Sequence, residues 1–235
     1  MVKTPSNGYR TALLAVLLLG ALPVTAWSQD EMPQGFAKIG GYAGGSFLPK
    51  FTLDGETFDG LTYYQQIGGD EIAILPKLDK QRMFRGIVGY RYEKAAIELS
   101  YERANHQGVF GDGGTGTATF QQINLDARYF FVTQGRIQPY VLVGGGFPWL
   151  TVKDGSFLEN QPEAGVGDGS FRGYSLNTEV GVTVYPHPQV GIVVGYGYRP
   201  MWFDRLTGIT DKDYELRPRF TENSKGFVFT TLFTF

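Results

Sequence analysis

The feature that most restricts this chain is an apolar–polar alternation of period two, recurring in short stretches from residue 37 to the last residue, with no competing helical period. In 96–103, Ile97, Leu99 and Tyr101 share one face while Glu98, Ser100 and Glu102 share the other. In 122–131, Ile123, Leu125, Ala127, Tyr129 and Phe131 oppose Gln122, Asn124, Asp126 and Arg128. Stretches 175–185, 190–199 and 227–235 repeat the plan; Glu179 takes the polar face in the first and glycine most of it in the second. Three weaker stretches complete a set of eight. Residues 37–47 are glycine-rich, with Lys38 and Tyr42 on one face, whereas 82–92 and 137–147 carry apolar residues at both parities and leave their facing ambiguous. An even number of strands is what a closed barrel with both termini on one side requires.

The connections alternate in length. Residues 91–95, 132–136 and 185–189 are tight turns, whereas 49–81, 104–117, 148–171 and 200–225 read as long loops rich in Gly, Asp and Pro. Short turns at one rim and long loops at the other characterise transmembrane barrels, with the long loops outside the cell. Alternation alone does not say which face is outside, because a soluble barrel turns its apolar face inward. The mixed charges of Lys38, Glu98, Glu102, Asp126, Arg128 and Glu179 suit a narrow lumen in which they pair. Aromatic residues at the strand ends, such as Tyr90, Tyr92, Tyr129 and Phe131, suit interfacial girdles. On this reading Leu125→Arg on the lipid face costs about 2–4 kcal/mol, far more than Asn124→Arg, whose charge a polar lumen can pair.

The N-terminal residues carry Lys3 and Arg10, then the apolar run 12–22, Pro23 and small residues. This is the layout of a secretory signal peptide over 1–28, cleaved after Ala26 or Ser28, leaving a barrel over 29–235. Its apolar run is short for a spanning helix. Losing Lys3 and Arg10 leaves 19 basic against 23 acidic side chains, so the mature chain has no basic excess for nucleic acid. Exported and without cysteine, the chain cannot draw stability from disulfides. Hydrocarbon offers backbone amides no partner, and a closed ring of strands satisfies them all.

Gly89-Tyr90-Arg91-Tyr92 turning into Ala96-Ile97-Glu98-Leu99-Ser100-Tyr101, then Gln138-Pro139-Tyr140-Val141-Leu142-Val143-Gly144-Gly145-Gly146, resemble the OmpA-like outer-membrane β-barrel superfamily. The resemblance implies an all-β, eight-stranded up-and-down transmembrane barrel in the bacterial outer membrane. It also implies that Phe227, Phe229, Phe233 and Phe235 resemble the C-terminal signal read by the barrel-assembly machinery. The peptidoglycan-binding domain found in OmpA itself is missing, so no cell-wall tether is expected. Members include structural proteins, adhesins, small channels and lipid-modifying enzymes, and function stays open at this level.

Candidate chemistry is sparse. His187 lies between two prolines in a turn, and His106 near Glu102 and Ser100 lacks the His-x-Ser pattern of the lipid A deacylases, since Gln107 and Gly108 follow it. Residues 111–116 lack the lysine and the strand-to-helix context of a phosphate loop, and 165–169 lack calcium-ligand spacing. Neither catalytic residues, metal ligands nor a cofactor are expected. The leading expectation is a structural or adhesin-like surface barrel whose long loops present residues such as Tyr63 and Tyr64. A small porin-like channel and a lipid A-modifying enzyme acting around His106 are the alternatives. Outer-membrane lipid, lipopolysaccharide and an unidentified extracellular ligand are the expected partners.

Overall fold

The computed structural model describes residues 36–37, 39–51, 54–55, 64–67, 71–74, 77–78, 81–109, 115–156, 166–208 and 214–235. Residues 1–28, expected from the sequence to be a signal peptide, lie outside them, as do Lys38 and Tyr63. Eight long strands form the barrel wall: β1 (Gly40–Phe51), β2 (Gln81–Arg91), β3 (Ala95–Val109), β4 (Thr115–Phe130), β5 (Ile137–Ser156), β6 (Val166–His187), β7 (Val190–Thr207) and β8 (Tyr214–Thr234). Each pairs antiparallel with the next, and β1 pairs with β8 to close the ring. One row of paired residues runs from Leu232 through Gly44, Ile87, Ser100, Asn124, Gly146, Ser175 and Met201 back to β8 at Glu222. The return point lies ten residues from the start (232 − 222), and this stagger tilts the strands and sets the barrel's width. Eight strands leave an interior only wide enough for side chains.

Through the lower wall the outward face is apolar: Ile97, Leu99 and Tyr101 on β3, Ile123, Leu125 and Tyr129 on β4, Ile192, Val194 and Tyr196 on β7. Leu125 is 62% exposed although its neighbours Asn124 and Asp126 are buried. Phe227, Phe229, Phe233 and Phe235 all point outward along the end of β8. The two strands of ambiguous facing resolve cleanly, with Met83, Arg85, Ile87 and Arg91 inward on β2 and Gln138, Tyr140 and Leu142 inward on β5.

The strands do not stop where the lipid-facing pattern stops, and here the sequence expectation needs correcting. Much of 104–117, 148–171 and 200–225 is strand, because β3 to β8 continue upward past the apolar band. Within 49–81, β1 runs on to Phe51, and the short strands Asp54–Gly55 and Tyr64–Ile67 pair with β8 while Lys77–Leu78 pairs with β3. These pieces cover the edges that β3 and β8 would expose above the shorter β1 and β2, and an unpaired edge is a liability for any sheet. Tyr64 belongs to the second of them.

The alternation exchanges sign at this level. One row of paired residues, Leu48, Met83, Ala104, Phe120, Leu150, Phe171 and Leu206, is apolar and buried inside the barrel across seven strands. Of their outward neighbours, Arg103, Gln121, Arg172 and Arg205 are polar, whereas Phe47, Phe84 and Trp149 are aromatic. The lower storey thus faces hydrocarbon with a polar interior, and the upper storey faces water with an apolar one. A bulge where the pairing skips from Phe203 to Arg205 shifts parity so that Leu206, not Arg205, turns inward.

This geometry supplies a sharper facing test than the Asn124 comparison. Leu125→Arg should cost about 2–4 kcal/mol of unfolding free energy in lipid vesicles. Thr119→Arg, on the same face of β4 but above the band, should stay within about 0.5 kcal/mol. Equal costs in denaturant titrations would refute the boundary between the storeys.

Candidate functional site: a packed polar lumen

The inward face of the lower storey converges on one cluster. β3 contributes Glu98, Ser100 and Glu102, β4 contributes Gln122, Asn124, Asp126 and Arg128, β6 contributes Asn177 and Glu179, and all are buried. Arg85 of β2 sits at the centre. Its Nη2 donates to Asp126 Oδ2 at 2.7 Å and its Nε to Ser100 Oγ at 3.0 Å. Glu102 Oε1 lies 3.3 Å from that Nε, Glu179 Oε2 3.7 Å from Nη1 and Glu98 Oε2 3.9 Å from Nη2. One guanidinium therefore reaches all four carboxylates.

Arg128 grips Glu98, its Nε 2.8 Å from Oε1 and its Nη2 donating to Oε2 at 3.2 Å, while its guanidinium lies 4.2 Å above the Tyr140 ring. Arg199 of β7 pairs with Glu102. The hydroxyls of Tyr42 and Tyr140 donate to Glu98 Oε1 at 2.8 Å and to Glu179 Oε1 at 2.5 Å. Asn177 Nδ2 donates to Asp126 Oδ1 at 2.9 Å and to Asn124 Oδ1 at 2.8 Å. Buried charges persist only when paired and hydrogen-bonded in this manner. Arg91 lies lower, hydrogen-bonded to Tyr185 and to Gln138 Oε1 at 2.6 Å, with Phe130 beneath it at 3.9 Å.

Glycines on the inward face make room for this network. A Cβ on Gly144 would collide with Asp126, one on Gly146 with Asn124 and Gln122, and one on Gly195 with the Tyr140 hydroxyl. Asn124 is itself fully enclosed, so the expectation that arginine would be tolerated there is corrected: no space remains for the longer side chain.

Of the residues singled out in the sequence, the structure brings together Glu98, Glu102, Asp126, Arg128 and Glu179. Sequence reasoning missed Arg199 and Tyr140; it placed Tyr42 on the face of Lys38 without giving it a partner, and it left ambiguous the facing of 82–92, the stretch that carries Arg85. Two signals were available: Arg85 and Arg91 share the parity that turns inward on β2, and Arg199 shares the parity of the glycines on β7.

His106 is buried on the inward face of β3, level in register with Ala118 and, beyond it, Val152 of the upper storey. Ser100 faces inward too, hydrogen-bonded to Arg85 and Asn124. His187 is exposed in the β6–β7 turn, its Nδ1 accepting from the Gln189 amide at 3.3 Å. No group of three or more His, Asp or Glu among the described residues is arranged to hold a metal ion.

The family model of the outer membrane protein beta-barrel domain matches residues 13–220. Among solved structures the chain is similar to Neisserial surface protein A (NspA), at 15% identity and a TM-score of 0.50 over 83% of this chain and 96% of that one. It is also similar to the outer membrane protein OprG from Pseudomonas aeruginosa, at 16% identity and a TM-score of 0.49 over 85% of this chain and 99% of that one. At such identity the likeness to the first speaks for the fold alone. Among functionally curated proteins none matches. With a closed antiparallel ring, an apolar outer band and an ion-paired interior already in hand, the family match makes the chain a member of the outer membrane protein beta-barrel domain family.

Proposed function

We propose that this protein is a sealed barrel serving as a rigid surface scaffold, which meets an extracellular partner with its upper storey and tip and moves no solute through its lumen. The observation that carries this reading is an interior occupied at every described level. Phe130, Tyr140, Leu142 and Val193 fill the lower end, the ion-paired layer lies above them, and the apolar row from Leu48 to Leu206 closes the top. A pore would need a continuous wet path past all three layers. Purified protein in a planar bilayer should give no steady single-channel steps, and reproducible steps that scale with protein added would overturn the reading in favour of a channel.

Lipid A modification requires a nucleophile and base that the lipid can reach. The inward aim of His106 and Ser100 argues against such a site. Lipid A from cells with and without the gene should therefore carry the same acyl chains by mass spectrometry. An acyl change abolished by His106→Ala would reverse that conclusion.

The partners that follow are the lipid and lipopolysaccharide around the wall, and the barrel-assembly machinery, engaged through Phe227, Phe229, Phe233 and Phe235. Export through a signal peptide cleaved after Ala26 or Ser28 belongs to the same reading.

A further inference from the structure

Going up the outward faces of β6 and β7, side chains change in a fixed order. On β6 the order is Val184, Val180, Leu176, then Tyr174, then Arg172; on β7 it is Ile192, Val194, Tyr196, then Trp202, then Asp204 and Arg205 at the bulge. Aliphatic, aromatic and cationic layers follow each other as hydrocarbon, interface and headgroup do in a membrane. The upper part of this face is an organised patch rather than a scatter of residues. Tyr174 and Trp202 are cross-strand partners with stacked rings, centroids 5.3 Å apart at 27°. Trp149 of β5 stands opposite Arg172, its indole N–H fixed by Gln121 Oε1 at 2.9 Å so that its ring is held in place.

Arg172 and Arg205 are themselves direct cross-strand partners, both exposed. Like charges placed opposite each other destabilise a sheet. Glu215 faces Arg205 from β8 and the half-exposed Asp204 adjoins it at the bulge, whereas the two cross-strand partners of Arg172 are Trp149 and Arg205, neither of them a carboxylate. An anion arriving from the headgroup layer would complete the balance, and two adjacent guanidinium forks suit phosphate oxygens. The aromatic rings beside them offer flat apolar faces of the kind that pack against the C–H face of a pyranose.

We propose that Trp149, Tyr174, Trp202, Arg172 and Arg205 form a binding site for the phosphorylated sugar headgroup of the outer-leaflet glycolipid, lipopolysaccharide. The site deepens the reading above by giving one of its partners an address, and it rests on that reading only for the barrel's place in the outer membrane.

The test uses the full chain carrying Trp27→Phe, extracted from the membrane in neutral detergent, which leaves Trp149 and Trp202 as its only indoles. Lipopolysaccharide added to it should shift the tryptophan emission saturably. The same lipid stripped of its lipid A phosphates should bind about tenfold more weakly or worse, as should phosphatidylglycerol, which has the charge without the sugar. Arg172→Gln combined with Arg205→Gln should weaken binding by about the same factor, whereas Glu215→Gln should tighten it. Heat-modifiable migration on gels verifies that each variant is folded. Equal affinity for intact and dephosphorylated lipid, or for parent and double variant, would overturn the proposal; equal affinity for phosphatidylglycerol would reduce the site to a generic anionic surface and overturn it as well. Bilayer currents would sink the scaffold reading without touching this titration, so the two fail separately.

Discussion

Arg85→Met is expected to lower the unfolding free energy of the barrel by about 3–5 kcal/mol, the cost of leaving buried charges without their partner. Methionine keeps the unbranched stem and much of the volume of arginine while removing the guanidinium, so the effect reports chiefly on charge. Arg85 is the one guanidinium within ion-pair distance of Glu98, Glu102, Asp126 and Glu179 together among the described residues. After its removal Arg128 and Arg199 must serve four carboxylates, and neither shows an ion pair with Asp126. Urea titration of protein folded in lipid vesicles would measure the loss. Arg82→Met, exposed on the same strand, should change the midpoint by no more than about 0.5 kcal/mol. Adding Asp126→Asn to Arg85→Met should recover part of the loss by removing the carboxylate that Arg85 holds at 2.7 Å. A midpoint for Arg85→Met matching that of the parent would remove Arg85 from the centre of the network.

Phe120→Ala should be nearly as damaging, at about 3–5 kcal/mol. Its ring is 0% exposed, in the apolar row that fills the upper storey between Ala104 and Leu150. Were β4 to emerge from the membrane as a slack loop, the same change would cost no more than an ordinary surface substitution, about 0.5 kcal/mol. Thr119→Ala, one residue away on the wet face, should show that small value. Amide hydrogen exchange distinguishes local from global loss: Phe120→Ala should strip protection from the upper parts of β3, β4 and β5 first, while Thr119→Ala leaves it intact. Unchanged protection in Phe120→Ala would refute the apolar upper core.

The lower storey was legible because its alternation is strict and its polar face carries ionised groups, as at Glu98, Glu102, Asp126 and Arg128. β2 and β5 were ambiguous for a physical reason: Met83 and Ile87 turn inward beside Arg85, and Tyr140 and Leu142 inward beside Gln138, so hydrophobicity does not separate the two faces. There the charged or amide residue, rather than the apolar count, marks the lumen. The upper storey was missed because Gly, Asp and Pro mark turns, and because one solvent was assumed along the whole strand. Thr117, Ala118, Thr119, Phe120 and Gln121 alternate as strictly as 122–131, but with the apolar residues at the opposite parity. A pattern that inverts without losing its period is the mark of a strand leaving hydrocarbon for water.

Packed at every described level of its bore, the barrel shows among its described residues no slack element whose rearrangement could carry news of contact at its crown to the periplasm. A ligand gripping the crown can only tow the whole post sideways, turn it about its axis or gather several posts together, so any response by the cell must be read from their spacing and number.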